Sequence, residues 1–369
     1  MKGIEKFRKT VAKYMLKRFV SNVHAETFQI NPSNLICSSG CDFLVNSLGW
    51  CLAESGDSCI LPAPYYTCFE NNLSMVSNIN TVPAFLRQEQ STLSWILTES
   101  SLEDAYTRSM DQGHRPAMLL ITNPNNPTGS CYSAEELKMA LSWARKKGMF
   151  LICDEIYANT THTTTQMVDN HHVFTSMFNV ALSIPTPTNE ENIGGGVLGD
   201  DVLVMYGFSK DFGLSGLRVG ILYTENRELH DAHDNLSSFS AISSDTQCLL
   251  NDLLADDQWV SMFLEENNRR LSSTLALLMS LLDSMKIPYI RPTSGMFIVL
   301  DLREFMEGES WEHERLLFDK IVSKCQLLLT PGRDFSFQVP GFFRATYAHV
   351  HPETLVTAFH RLRQSFLTN

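Results

Sequence analysis

The sequence predicts an α/β protein, with a larger leading part followed by a smaller C-terminal one. Three observations carry this. Short apolar runs of strand length recur at residues 35–37, 59–61, 117–121, 149–153 and 202–206. Stretches of helical periodicity follow several of them, so the order reads strand, helix, strand. Beyond residue 226 the pattern becomes mostly helical, then mixed, with three further strands.

The bulk numbers bound the answer. A chain of 369 residues with 44% hydrophobic content can bury a sizeable core in two or three layers or domains. A net charge of −12 and the lack of a basic stripe argue against a nucleic-acid partner. No apolar run approaches the roughly 20 residues of a membrane helix, so no membrane partner is expected. The basic N-terminus has no apolar core of a secretory signal. Residues 4–16 instead read as an amphipathic helix, with Ile4, Phe7, Val11 and Met15 on one face.

The nine cysteines are an odd number. Cys37 and Cys41 form a C-x3-C pair with no second pair or nearby histidine, so no metal is expected. Several others lie in apolar runs and read as buried thiols in a reducing, cytoplasmic compartment. His171 and His172 sit in a polar stretch and read as a solvated loop.

The elements follow in order. A strand at 35–37 meets Ser38, Ser39, Gly40, Cys41 and Asp42, then a helix over 43–54. Small residues at a helix start leave N–H groups free for an anion. A strand at 59–61 runs into Pro62, Ala63, Pro64, Tyr65 and Tyr66, a stiff turn presenting aromatics that can stack on a flat ligand. Residues 85–115 are polar and read as surface. The strand at 117–121 ends in a loop, residues 122–129, in which two prolines and a glycine hold an asparagine amide in place. Ser133 and Glu136 form a capping box for the next helix, which ends near Gly148. The strand at 149–153 delivers Asp154, Glu155, Ile156 and Tyr157. A carboxylate there is costly unless a cation meets it, and ligands of open α/β sheets sit at such strand ends.

Residues 159–200 read as a long flexible insertion. Its Gly194, Gly195 and Gly196 open no helix after a strand, which argues against a nicotinamide-dependent dehydrogenase. The strand at 202–206 then delivers residues 207–220, in which Lys210 and Arg218 stand among small residues. A partly buried lysine there can serve as a Schiff-base nucleophile. Helical pattern fills 226–286. Strands follow at 295–302, 326–330 and 342–347, with Arg344 set in the last, and a final helix spans 352–367.

The polar groups at these strand ends match what pyridoxal 5'-phosphate needs: an anion cradle, a carboxylate for the pyridine nitrogen, a flat aromatic, amide and phenol donors, and a lysine. The chain resembles the class I/II aminotransferase superfamily of pyridoxal-phosphate enzymes, and more narrowly its 1-aminocyclopropane-1-carboxylate (ACC) synthase-like branch. The motifs lie at 62–66, 123–129, 153–157, 209–220 and 340–344. The resemblance implies fold type I: a three-layer α/β/α large domain with a mostly parallel sheet over 1–230, and a linking helix and small α/β domain over 231–369. It implies that Lys210 forms the internal aldimine and moves the substrate α-proton. Asp154 pairs with the pyridine nitrogen, Tyr157 and Asn126 bond the 3-oxygen, and Tyr65 stacks on the ring. Arg218, Ser209 and the backbone of Gly40, Cys41 and Asp42 hold the phosphate. Arg344, with Asn126, takes the α-carboxylate of an α-amino acid or of S-adenosylmethionine. A homodimer is implied as well.

Three departures accompany the resemblance. Relatives carry several dozen residues before the point matching Gly3, including an aromatic donated to the neighbouring subunit, so the N-terminal segment is expected to be missing here. Gly207 stands where a phosphate-binding serine is usual; such a hydroxyl contributes about 1.5–3 kcal/mol against a charged acceptor. Asp42 replaces a serine or threonine in the cradle and repels a phosphate unless its side chain turns away. The expected activity is therefore aminotransferase-like or lyase. The alternatives are authentic ACC synthase, which converts S-adenosylmethionine to ACC and methylthioadenosine, and a degenerate homologue that binds the cofactor without catalysis.

Overall fold

In the computed structural model, which describes residues 2–88, 95–162, 173–184 and 198–366, all five leading apolar runs join one sheet. Its strands are β1 (Leu35–Ser38), β2 (Ser58–Ala63), β3 (Asn80–Phe85), β4 (Pro116–Thr122), β5 (Phe150–Asp154), β6 (Val202–Gly207) and β7 (Gly220–Tyr223). The order across the sheet is β1-β7-β6-β5-β4-β2-β3. Every neighbouring pair is parallel except the two made by β7.

Burial on both faces explains why these strands read as continuous apolar runs rather than alternating ones. In β6, Val202, Val204 and Tyr206 join the core on one face, and Leu203 and Met205 the core on the other. The same division holds in β4, with Leu119 and Ile121 against Met118 and Leu120. Each such side chain contributes about 1.5–3 kcal/mol by leaving water.

A second sheet comprises β8 (Tyr289–Ile290), β9 (Phe297–Asp301), β10 (Thr330–Pro331) and β11 (Phe342–Thr346), antiparallel in the order β8-β9-β11-β10. The helix Asp257–Ser284 joins the two regions. Its Val260 and Leu264 pack with the large-sheet core, and Leu271, Leu275, Leu278 and Leu282 pack under the second sheet. The N-terminal amphipathic helix forms over Glu5–Phe19, with Phe7, Val11 and Met15 buried. The capping box of Ser133 and Glu136 is present.

Four expectations change. The stretch 85–115 is not all surface: it carries the helix Glu99–Asp111, whose Leu102 and Ala105 are fully buried. The strand expected at 326–330 shrinks to Thr330–Pro331, because a π-helical turn over Ile321–Cys325 ends with Gln326 in the left-handed region. The helix expected from 43 begins at Cys41. Within 159–200, the helix Met177–Leu182 buries Met177 and Phe178 completely. It is held there by Glu155, whose carboxylate accepts from Ser176 Oγ at 2.7 Å and from the Met177 amide at 2.6 Å. His171, His172 and the three glycines at 194–196 lie outside the described residues.

Removing that acceptor strands a buried hydroxyl and a buried amide. Glu155→Ala is expected to lower stability by about 2–4 kcal/mol, read as a fall in Tm, and to open residues 173–184 to proteolysis.

Candidate active site

Strands β1, β2, β4, β5 and β6 point the same way, so their carboxyl ends share one edge of the sheet. The antiparallel β7 starts at that edge and brings Arg218 to it. A cavity of about 90 Å³ opens there, lined by Cys41, Asp42, Tyr66, Thr122, Asn126, Asp154, Tyr157, Ser209, Lys210 and Arg218, among others.

The cradle at one end is built by glycines. Gly40 precedes the helix Cys41–Leu52 with φ 96°, a conformation that disfavours a side chain. A Cβ on it would stand 2.6 Å from Nη2 of Arg218, and a Cβ on Gly220 would stand 2.6 Å from the carbonyl carbon of Gly40. The guanidinium and the β7 backbone therefore close on the helix start only because both positions lack side chains. Asp42 turns its carboxylate toward Asn72 Nδ2 at 3.3 Å and Arg218 Nη2 at 3.5 Å. Both charged groups are about half exposed, so this pair holds little energy and Arg218 stays available to an anion.

Asp154 is the cavity's buried charge. Its Oδ1 accepts from the Ile156 amide at 3.2 Å. Burial pushes its carboxyl up to about 7, the Ile156 amide and the Lys210 charge opposing. Glu155 and Asp211 flank the same edge, and burial raises them as well, to about 8 and about 7. Those two are tied to donors outside the cavity.

Lys210 is placed by the residue after it. Oδ2 of Asp211 accepts from the Tyr206 hydroxyl at 2.9 Å and from the Asn159 amide and side chain at 3.1 and 2.9 Å. Tyr14 bonds both Tyr206 and Asn159. The lysine Nζ stands 6.0 Å from the ring centre of Tyr157. Tyr157 packs edge-on against Phe297, and burial raises its hydroxyl above the usual phenol range.

On the other side, Arg344 donates from Nη1 to Asn126 Oδ1 at 2.9 Å. Its guanidinium lies over the rings of Phe297 at 5.2 Å and Phe335 at 4.7 Å. Two aromatic faces confine it in plane, which leaves its fork free to meet a carboxylate. Asn125 pins the asparagine loop by bonding Pro64 and Thr128.

One choice of residue is corrected. Tyr65, expected to stack on the ring, is 3% exposed and does not line the cavity. Its hydroxyl donates to Glu70 at 2.7 Å and accepts from Ser336 at 3.1 Å. Its amide donates to the Phe335 carbonyl. Tyr65 thus joins the turn to the second sheet's region, and its neighbour Tyr66 presents the ring to the cavity. Adjacent residues of an extended turn face opposite ways, so the sequence left the choice open. Sequence reading also missed Thr122, Asp211 and the two phenylalanines around Arg344. Only Asp211 carried a signal, as a carboxylate adjoining the lysine.

The residues suit pyridoxal phosphate on grounds internal to the protein. Asp154 is a buried carboxylate beside an open volume, which a ring cation would satisfy. Among the described residues, the Thr122 hydroxyl and Arg344 Nε are buried without hydrogen-bond partners, which suits them to polar contacts from a ligand. The glycine cradle with Arg218 suits a phosphate.

Comparison with known proteins agrees. The chain matches the family described as aminotransferase class I and II over residues 1–362. ACC synthase 11 of Arabidopsis thaliana is 33% identical over 361 residues, covering 98% of this chain and 73% of the relative. ACC synthase 2 of Cucurbita pepo is 30% identical over 367 residues, covering 100% and 69%. An aspartate aminotransferase double mutant of Thermus thermophilus superposes with a TM-score of 0.79 at 19% identity, covering 99% of this chain and 82% of that one. An aromatic aminotransferase from Pyrococcus horikoshii OT3 gives 0.77 at 17% identity, covering 98% and 85%. At those identities the structural likeness is one of fold. Fold and family together define a pyridoxal-phosphate-dependent enzyme of fold type I that acts on an amino acid. Within that class, the chain belongs to the class I and II aminotransferase family and is similar to the ACC synthases.

The raised carboxyl of Asp154 has a sign that can be tested. Its folded value exceeds its ordinary value of 3.8, so its burial costs stability progressively as pH rises from about 4 to about 7. Without cofactor, Asp154→Asn is expected to be more stable than wild type at pH 8 by on the order of 2–4 kcal/mol, and to lose that advantage below pH 4. Thermal melts of both apoproteins across pH check this.

Proposed function

We propose that this chain removes the α-proton of an α-amino acid, with Lys210 as the base and Arg344 as the carboxylate anchor. The observation that carries the reading is the sharing of one cavity by Lys210, Asp154 and Arg218, with Arg344 bonded to Asn126 on its rim. Pyridoxal phosphate, when bound, supplies an aldehyde for the substrate amine and a ring that accepts electrons from the α-carbon. Asp154 holds a proton at the ring nitrogen. Asn126 and Tyr157 donate to the ring oxygen, and Tyr66 covers the ring face in the role expected of Tyr65. Arg218, Ser209 and the amides at 40–42 hold the phosphate. Lys210 carries the proton from the α-carbon, and Arg344 fixes the carboxylate so that this carbon faces the amine.

Two outcomes use these same residues. In amino transfer, Lys210 would deliver the proton away from the α-carbon, water would release the first substrate as a keto acid, and a second keto acid would take up the amino group retained on the bound cofactor. Expelling a γ-leaving group from S-adenosylmethionine closes the ACC ring. The sequence relatives named as ACC synthases are the reason to test the second. The same reading takes the protein as a cytoplasmic homodimer. Free thiols buried at Cys37, Cys59, Cys131, Cys153 and Cys325 accord with a reducing compartment.

The protein with added pyridoxal phosphate is expected to show an absorbance band near the visible edge that Lys210→Ala abolishes. A colourless wild type would sink the proposal. Product analysis for keto acid, ACC or methylthioadenosine, after incubation with amino acids or S-adenosylmethionine, separates the two outcomes. Arg344→Lys is expected to raise KM for the substrate by about 10–150-fold, the loss of a charge-assisted hydrogen bond worth about 1.5–3 kcal/mol.

A further inference from the structure

Gly207 ends β6, three residues before Lys210, where the resemblance puts a serine. The space such a side chain needs is already taken. A Cβ built on Gly207 would stand 2.9 Å from Sγ of Cys41, 3.1 Å from the Val219 carbonyl oxygen and 3.6 Å from Cδ1 of Ile156. Cys41 is the first residue of the helix Cys41–Leu52, and it lines the same cavity as Ser209, Lys210 and Arg218. The sulfur thus fills the volume in front of Gly207 from the opposite wall. The hydroxyl missing from one side of the cradle and the thiol present on the other occupy one place.

We infer that Cys41 and Gly207 form a matched pair, in which the Cys41 thiol replaces the absent hydroxyl as a contact at the phosphate end of the cofactor. The inference rests on the pyridoxal-phosphate reading above and adds a side chain to it, since that reading uses only the Cys41 backbone. The chemistry is consistent. Burial, with Asp154 and Asp42 nearby, holds the thiol well above its ordinary range, against the pull of Arg218 and Lys210. It therefore meets an anion as a neutral S–H donor, a weaker one than a hydroxyl but free of charge repulsion. The pair also bears on how the cradle stays closed with three glycines around it: a Cβ on Gly220 would meet the Gly40 and Cys41 backbone and one on Gly40 the Arg218 guanidinium, whereas at Gly207 the nearest atom is the Cys41 sulfur, a side chain that can be exchanged.

The test is a titration of the apoprotein with pyridoxal phosphate, followed by fluorescence, on four variants. Cys41→Ser is expected to bind within about threefold of wild type or more tightly, because it keeps a donor in place. Cys41→Ala is expected to bind about 3–10-fold more weakly, the worth of one modest hydrogen bond. Gly207→Ser is expected to bind at least about tenfold more weakly, because its side chain overlaps the sulfur. Cys41→Ala/Gly207→Ser is expected to return to within about threefold of wild type, a strong non-additivity. The ³¹P signal of the bound cofactor should shift in Cys41→Ala and stay unmoved in a control at the exposed Cys248, Cys248→Ala. Additive losses in the double variant, or unchanged affinity in Cys41→Ala, would overturn the pairing while leaving the cofactor assignment intact. Failure of wild type to bind at all would overturn both. Should Gly207→Ser not fold, Cys41→Ala against Cys41→Ser decides alone.

Discussion

Asp211 sits fully buried directly after Lys210, and its Oδ2 accepts three hydrogen bonds from Tyr206 and Asn159. Leaving such a carboxyl without donors costs several kcal/mol, so the donors must stay where they are. Tyr206 comes from β6, Asn159 from the chain beyond β5, and Tyr14, which bonds both, from the helix Glu5–Phe19. Asn267, on the long helix between the two sheets, donates to the Asp211 carbonyl at 3.3 Å. Four distant parts of the chain thus meet at the residue that sets the lysine's position. The amphipathic helix at the start of the chain is part of the lysine's support.

Three buried carboxyls stand at this edge of the sheet, and their partners separate structure from chemistry. Glu155 spends its oxygens on Ser176 and Met177, which dock a helix. Asp211 spends Oδ2 on the lysine's support. Asp154 has the Ile156 amide and otherwise faces the cavity that holds Lys210. All three are raised by the same burial, so the shift alone does not mark the functional one. The open volume beside the carboxylate does. Arg344 obeys the same logic in the opposite sign: two aromatic rings hold it, one neutral amide oxygen meets its Nη1, and its buried Nε has no partner among the described residues.

Much of this was legible in the sequence. The five buried strands could be read because both faces of a parallel sheet are covered, which makes the runs continuous and easy to see. Asn126, Lys210 and Arg218 could be read because each stands beyond or before a strand in a turn marked by glycine, proline or serine, and Asp154 because a carboxylate ends a buried apolar run. The helices at 99–111 and 177–182 could not. The first exposes a polar side and rests on a few buried residues such as Leu102 and Ala105, while the second is six residues long, too short for a helical period to show, although Met177, Phe178, Val180 and Ala181 are buried. The run at 326–330 misled for a related reason: Leu328 is largely exposed while Leu329 is buried, so hydrophobicity there did not report a paired strand.

The sequence by itself determined which groups reach the edge of the sheet, because a strand and the turn after it are local and their residues are contiguous. Only the tertiary structure decided which groups act together. That Tyr66 rather than Tyr65 faces the cavity depends on Phe335 and Ser336, some 270 positions away. That Cys41 fills the space before Gly207 depends on a helix start meeting a strand end 166 residues later. Contacts between distant residues have no period and no spacing in the chain. They follow from close packing of the folded core, where one atom's volume can be supplied from either wall.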